Sequence, residues 1–416
     1  MRNHLIDLAR VAAMVVVVTF HAVLYCVDVA NGQVSVVPWA PGPVVWGLTW
    51  ALTLLPLFFV TAGYGAAVTC QRHHGQPYAA YLDSRFRKML GPLTLFLVTF
   101  TVASTAASWF IGVDMAVALS SRFAQLLWFM VVYLALTAAA PLLTRWLDAR
   151  PALTLLTPAA TAIAVDALAR WRGDWDIHWM NLATVWTLAY CLGAAYQRGW
   201  FARLRTRTLW GVVAGCAACL ATLVFAFGYP PSVVGFADML VANLQPPTFA
   251  AIPLTLAQTC VLALLDRAGV GQRLPTRFLP VLGVLNALVF STYLWHIIAI
   301  IMADGLLALV ALLLPATAPV ATSLPLCALV TWAMAAWLIP LLARAESRLI
   351  PPAPQRAGGG VVVGFAALVV GMWLVWQFGA VVHPRSPLGV AAVAVTLAGL
   401  YSSRHAGLAH RTAHAD

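Results

Sequence analysis

Long apolar runs, separated by short polar joints, fill almost the whole chain. Each run is about 20 residues long, which suits the roughly 30 Å hydrocarbon thickness of a bilayer. Backbone groups in lipid must form hydrogen bonds within their own segment, so runs of this length predict helices. The pattern therefore predicts an all-α, polytopic membrane protein with about twelve transmembrane helices. The predicted spans are residues 5–28, 44–70, 90–112, 122–144, 151–169, 178–197, 209–229, 247–265, 279–302, 321–343, 360–382 and 387–403.

The joints predict how the spans are grouped. Residues 344–360 are rich in proline, glycine and arginine, which is typical of a linker. The segment 302–316 either extends the ninth span or forms a separate surface piece. The predicted parts of the chain are a ten-span body (1–345), a cytoplasmic linker (346–359), two further spans (360–403) and a cytoplasmic tail (404–416).

Composition supports a membrane protein and excludes other classes. The 416 residues are 62% hydrophobic and 9% charged, whereas a soluble domain has about 25% charged residues. The net charge is +11, but the basic residues lie in short joints rather than on one continuous face, which argues against a nucleic-acid-binding protein. Short alternating segments, typical of membrane barrels, are absent. No cluster has metal-ligand spacing, so we predict no metal.

The positions of lysine and arginine predict the orientation, since positive residues collect in cytoplasmic loops. Of the 24 basic residues, 20 fall on the side that carries both termini. We therefore predict cytoplasmic N- and C-termini for a protein of the inner (plasma) membrane. The four basic residues on the opposite side are Arg122, Arg170, Arg172 and Arg385.

Ionisable side chains inside a bilayer cost at least a few kcal/mol each, so they are candidates for function. The first span carries Asp7, Arg10 and His21. Arg10 and His21 are 11 residues apart, which is close to three turns and a rise of roughly 16 Å, so both face the same way. Asp7 lies one turn before Arg10 and can pair with it. The alternatives are snorkelling for Arg10 and a structural role for His21.

A second intramembrane histidine, His296, is predicted at about the same depth as His21. Two histidines at one depth can share a cavity. Histidine also suits catalysis, because it can accept and return a proton near neutral pH. The alternative is a structural histidine in an aromatic-rich interface.

A cationic stretch, Arg85-Phe86-Arg87-Lys88, forms a predicted loop before the third span. Together with Arg72, it suits a phosphate-rich ligand on the cytoplasmic face. Topology alone is an equal explanation, because the positive-inside rule also places basic residues there.

Several short segments follow one another in a characteristic order. Arg10 and His21 are separated by ten residues. An aromatic segment with small residues follows, formed by Phe58, Phe59, Gly63 and Tyr64, and its small residues predict close helix packing. The later segments are Arg85 and Lys88 before Pro92; Leu127, Trp128 and Phe129; residues 243–248; and Tyr293 with His296. Over about residues 5–345 this order resembles the membrane-bound acyltransferase 3 family. Ala62 and Lys88 depart from that family's serine and arginine.

The resemblance implies O-acyl transfer, often of acetyl from acetyl-CoA, to a hydroxyl of an envelope glycan, lipid or small molecule. The implied partners are therefore acyl-CoA, that acceptor and the lipid bilayer. It implies a catalytic site with His21 as general base or acyl-handling group, and with Arg10 and His296 beside it. The residues expected to hold the donor phosphates are Arg10, Arg85, Arg87 and Lys88.

Two other functions stay open at the level of sequence. A secondary transporter of a small acid or lipid would suit twelve spans, although no paired interrupted segments occur in two halves. A membrane protein that binds partners without chemistry is the third reading. Geometry separates them, since a transferase needs Arg10, His21, Arg85 and His296 to line one cavity open to the cytoplasm.

Overall fold

The protein is almost wholly helical. Its structure is a computed structural model that describes residues 3–30, 32–239, 241–351 and 358–405, without the side chains of Cys26, Arg404 and His405. The helices in this range are α1 (His4–Leu24), α2 (Pro43–Leu52), α3 (Leu55–Arg72), α4 (Tyr78–Ile111), α5 (Val113–Ala124), α6 (Leu127–Ala149), α7 (Pro151–Arg172), α8 (Asn181–Gln197), α9 (Trp200–Arg203), α10 (Thr206–Phe225), α11 (Ala251–Arg267), α12 (Leu279–Leu313), α13 (Ala318–Ala321), α14 (Leu324–Arg348), α15 (Gly359–Phe378) and α16 (Pro387–His405). Short 3-10 helices cover Trp175–Met180, Thr276–Phe278 and Pro315–Thr317, and two strands, β1 (Tyr25–Ala30) and β2 (Gln33–Pro38), form an antiparallel pair.

The chain is a multi-pass membrane protein, as predicted. Nine helices among the described residues are long and apolar enough to cross a membrane, and they match nine of the predicted spans. The other predicted spans, 178–197, 247–265 and 387–403, coincide with α8, α11 and α16, which are shorter or less apolar. Twelve crossings therefore stay a prediction, although a helix is present at each predicted span.

Parts of the predicted linker and tail lie outside the described residues. They are residues 352–357 and 406–416. Helix α14 continues to Arg348, beyond the predicted end of the body at residue 345, and the predicted domain boundaries stay untested. Three residues of the predicted cytoplasmic basic set also lie outside the described part: Arg2, Arg356 and Arg411.

Helix α1 begins at a side-chain cap and ends earlier than predicted. The Asn3 side-chain oxygen accepts hydrogen bonds from the backbone N–H groups of Leu5 and Ile6, which stabilises a helix start. The prediction that the first span reaches residue 28 is wrong, since α1 ends at Leu24 and the chain continues directly as β1. The valine-rich sequence there favours strand pairing over a helix.

The second predicted span, 44–70, contains two helices rather than one. A break at Thr53 and Leu54 separates α2 from α3. Pro56 has no N–H group to donate to the carbonyl four residues earlier, so a continuous helix would lose a hydrogen bond at this point. The Gln258 side chain of α11 donates a hydrogen bond to the Thr53 carbonyl (2.7 Å). A carbonyl released by the break is thereby satisfied within the protein.

Helices α4 and α12 are longer than the predicted spans. The prediction that residues 85–88 form a loop is wrong, because they lie within α4. No proline or glycine occurs from residue 78 to residue 90, so nothing in this stretch interrupts the helix. Helix α12 runs to Leu313, and the segment 302–316 therefore largely extends the ninth span.

Two compact units make up the described chain. Residues 1–67 and 142–341 form the first, and residues 68–141 and 342–416 form the second. In the first unit, α1 packs against α12, and α8 packs against α7 and α11. In the second unit, α15 packs against α16, α4 and α5.

The second unit contains a tight helical hairpin, formed by α15 and α16. A Cβ atom added at Gly371 would lie 2.6 Å from the Thr396 backbone, so only glycine allows the two backbones to approach so closely. The connection between the two helices is also bonded to α5. There the backbone N–H of Ala380 donates to the Ser120 hydroxyl (2.9 Å).

Candidate active site

Two histidines, one from α1 and one from α12, meet inside the first unit. His21 is the eighteenth residue of α1, and His296 is the eighteenth residue of α12. The Nδ1 atom of His21 lies 3.2 Å from the Nε2 atom of His296, and the ring centroids are 5.1 Å apart. His296 is fully buried, whereas His21 is half-buried. The similar depth predicted from sequence thus corresponds to direct contact between the rings.

The backbone beside His296 determines which ring nitrogens carry protons. Nδ1 of His296 lies 2.7 Å from the Tyr293 carbonyl oxygen, and a carbonyl only accepts hydrogen bonds. Nδ1 therefore carries the proton, and Nε2 of the neutral ring accepts one from Nδ1–H of His21. This arrangement leaves Nε2 of His21 as the ring nitrogen with a lone pair.

Contacts beside the two histidines hold α1 against α14 and pack the His296 ring. The Trp332 indole N–H of α14 donates to the Thr19 hydroxyl (2.9 Å), two residues before His21. The Tyr293 ring packs against the His296 ring, with centroids 5.8 Å apart. A ring held by its neighbours loses little freedom when it reacts, which suits a proton-transfer group.

Arg10 lies near the other end of α1 and bonds a different helix. Its Nη2 atom donates to the Thr61 carbonyl of α3 (3.1 Å). Arg10 and His21 are 11 residues apart, or roughly 16 Å along the helix, so they do not contact one another. Asp7 is buried beside Arg10 on the same helix, and the pairing of their charges stays a prediction.

The remaining predicted donor-binding residues lie in α4, within the second unit. Arg87 forms an ion pair with Asp83, one turn earlier, at 2.5 Å. Arg85 is half-buried, and Lys88 is exposed. Phosphate binding by all three stays a prediction.

A second buried polar cluster in the first unit is centred on Asp166 of α7, and the sequence motifs do not identify it. The carboxylate accepts hydrogen bonds from the Asn181 amide (2.7 Å) and the Tyr229 hydroxyl (2.6 Å). Nε2 of His178 lies 3.6 Å from the same carboxylate. Asp166 and His178 both fall inside predicted spans, and an ionisable residue at that depth is the signal that could have found them.

Comparison with known proteins gives a match over most of the chain. A family model described as an acyltransferase domain matches residues 3–339. The matched region includes Arg10, His21 and His296, and it ends within α14. No curated protein and no solved structure matches the chain.

Proposed function

The chain belongs to the membrane-bound acyltransferase 3 family, and from this premise we propose that it moves an acyl group, typically acetyl, from a cytoplasmic acyl-CoA to a hydroxyl acceptor. The acceptor is an envelope glycan, lipid or small molecule, and the enzyme works in the inner membrane with both termini in the cytoplasm. The contact between His21 and His296 is the observation that carries this proposal.

In the proposed reaction, His21 is the general base. Its Nε2 atom takes the proton of the acceptor hydroxyl while the hydroxyl oxygen attacks the thioester carbonyl carbon. The new C–O bond forms, the C–S bond breaks, and the proton on His21 passes to the thiolate sulfur. The products are an ester and a free thiol, so neither a proton nor an electron is gained or lost overall.

His296 acts through His21 in this scheme. Its Nε2 atom accepts the Nδ1–H of His21, so the lone pair of His21 stays on Nε2 and the ring keeps one orientation. Positive charge that develops on His21 is also stabilised, because the hydrogen bond to His296 becomes charge-assisted. We therefore assign His296 a positioning role.

The donor phosphates need cations, and α1 and α4 supply them. In the proposed complex Arg10, Arg85 and Lys88 bind the phosphates, because guanidinium and ammonium groups form strong charge-assisted hydrogen bonds to phosphate. Arg87 joins them if the phosphate displaces Asp83, its ion-pair partner.

The first experiment measures transfer from acetyl-labelled acetyl-CoA in inverted membrane vesicles with added envelope extract. The wild type is compared with His21→Ala, and with His74→Ala as a control, since His74 is exposed and plays no part in the proposed site. We expect label to enter the envelope or lipid fraction with the wild type and the control. A lost general base lowers the rate by about 100-fold or more, so His21→Ala is expected to transfer almost nothing.

Two results would contradict this proposal in different ways. Equal transfer by the wild type and His21→Ala would keep the enzyme and remove His21 from its mechanism. No transfer by the wild type, combined with uptake of labelled small acids into the vesicles, would favour a transporter.

A further inference from the structure

The segment between α10 and α11 is tied at both ends to one carboxylate. The Asp166 Oδ2 atom accepts hydrogen bonds from the Tyr229 hydroxyl (2.6 Å) and from the backbone N–H of Phe249 (2.8 Å). Its Oδ1 atom accepts from the Asn181 amide (2.7 Å). Asp166 therefore anchors both ends of a loop, of which residues 229–239 and 241–249 are described, and fixes that loop to α7 and α8.

The hydrogen bonds to Asp166 are buried inside the protein. Asp166 is 2% exposed, and Tyr229 is 8% exposed. Burial, together with the hydrogen bond to Asp166, raises the pKa of Tyr229 above its usual value, so this hydroxyl remains a donor. A hydrogen bond in such a buried, low-dielectric place is electrostatically stronger than one in water.

The loop interior is also internally bonded. The Asn243 amide donates to the carbonyl oxygens of Pro230 and Ser232, at 2.7 Å each. The Thr248 hydroxyl donates to the Asn243 side-chain oxygen (2.9 Å). Because these groups are buried and satisfied, the loop has a fixed shape that can position a substrate.

The loop lies at the end of α1 that carries His21. The Phe236 ring packs edge-on against Phe20, which immediately precedes His21, with centroids 5.5 Å apart. It also packs against Trp39, at 5.6 Å. The backbone N–H of Ala237 donates to the Trp39 carbonyl (3.1 Å), so the loop is joined to the chain that leaves α1.

We propose that residues 229–239 and 241–249 form the acceptor-side wall of the His21 site, and that Asp166 is the positioning residue that holds this wall. The inference rests on the proposed acyl transfer. Arg10 is an expected donor-binding residue, and it lies roughly 16 Å from His21 along α1. The hydroxyl acceptor therefore approaches His21 from the other end of α1, where the loop lies. The charge pattern predicts that this end faces away from the cytoplasm, where envelope acceptors are found.

The test measures the dependence of acetyl transfer on each substrate separately. Asp166→Asn replaces the carboxyl group whose Oδ2 atom accepts from both loop ends, and Tyr229→Phe removes one of the two bonds. Asp176→Asn is the matched control, because it makes the same change at an exposed carboxylate nearby. We expect the half-saturating concentration of envelope extract to rise about tenfold for Asp166→Asn and less for Tyr229→Phe. The half-saturating concentration of acetyl-CoA should not change in either variant.

Several outcomes would overturn the proposed wall. An unchanged requirement for envelope extract in Asp166→Asn, or an equal rise for extract and acetyl-CoA, would contradict it while the wild-type transfer stands. If Asp166→Asn does not accumulate as folded protein, Tyr229→Phe together with Phe236→Ala decides the question by the same readout. If the wild type transfers no label, the proposed function fails and this inference falls with it.

Discussion

The hydrogen bond between His21 and His296 makes the side chain at position 296 testable on its own. His296→Ala removes the acceptor for Nδ1–H of His21, so we expect kcat to fall by about 100-fold while binding of acetyl-CoA is unchanged. His296→Gln should keep much more activity, because its amide oxygen can accept the same hydrogen bond. The measurement is kcat for acetyl transfer, with acetyl-CoA binding measured in parallel.

The control for this series lies two residues further along α12. Ile298 is 39% exposed, and Ile298→Ala should leave kcat unchanged. Equal losses for His296→Ala and His296→Gln would show that the ring itself, rather than its accepting nitrogen, is required, and would contradict the positioning role.

Single residues were predictable where depth in the membrane was enough to place them. His21 and His296 lie equally far from the starts of their two helices, so helix geometry predicted their similar depth. Their contact also depends on the packing of α1 against α12, which the sequence did not predict. The Asp166 cluster was not predictable in this way. Its partners Tyr229 and Phe249 lie 63 and 83 residues further along the chain, in an irregular loop whose path no periodicity describes.

At the scale of elements, the crossing of α3 and α8 depends on two glycines. A Cβ atom added at Gly63 would lie 1.9 Å from the Tyr190 carbonyl oxygen, and one at Gly193 would lie 1.9 Å from that of Val60. Gly63→Ala therefore forces two backbones apart, and we expect it to lower the free energy of unfolding by about 2 kcal/mol. The thermal unfolding midpoint of the purified protein in detergent measures this change.

Gly305→Ala provides the matched control for that change. Gly305 also lies inside a helix, but nothing lies within 4 Å of a Cβ atom added there. Its replacement should leave stability unchanged or raise it by up to about 1 kcal/mol, since alanine favours a helix more than glycine does. A loss at Gly305 as large as the loss at Gly63 would show that helix contact is not the cause.

Element types were largely predictable, and the misses have identifiable physical causes. Runs of apolar residues predicted the helices, because length and hydropathy suffice for that purpose. The β1–β2 pair was missed, although valines alternate around Asn31-Gly32 in the sequence, which is a strong hairpin signal. The prediction of a loop at residues 85–88 rests on their density of charge. Arginine and lysine are good helix formers, so this density does not interrupt α4.

For the whole molecule, the charge pattern makes a prediction about sidedness. In a chain whose seven cysteines are replaced by alanine, a new cysteine is placed at Asp176 or at His74, both exposed. The positive-inside rule predicts that a membrane-impermeant maleimide labels Asp176→Cys in intact cells. It should label His74→Cys only after the membrane is permeabilised.

The reverse labelling pattern would invert the predicted orientation and place the His21 end of α1 in the cytoplasm. Labelling of both positions in intact cells would instead show that an even number of crossings lies between them, which contradicts the three spans predicted there. As the control, acetyl transfer is measured for each cysteine variant. Only variants that still transfer acetyl are used, because an inactive variant would report on a damaged chain.

The arrangement of the whole chain was less predictable than its elements. The division into a body and two further spans stays a prediction, and nothing in the sequence pattern indicates that α15 packs against α4 and α5. Such long-range packing depends on shape matches between helix faces, for example at Gly371, rather than on hydropathy. Hydropathy identifies the segments that enter a bilayer, but it carries little information about which helices pack against one another there.

The bond from Ala380 to Ser120 has a consequence for biosynthesis. These residues are 260 positions apart in the chain, and a ribosome that adds about 5–20 residues per second needs roughly 10–50 s to make that interval. During this time α4 and α5 have already been synthesised, but α15, which packs against both, has not. The nascent chain must therefore keep this surface shielded by lipid or by the insertion machinery, and the second unit is completed only after most of the first has been synthesised.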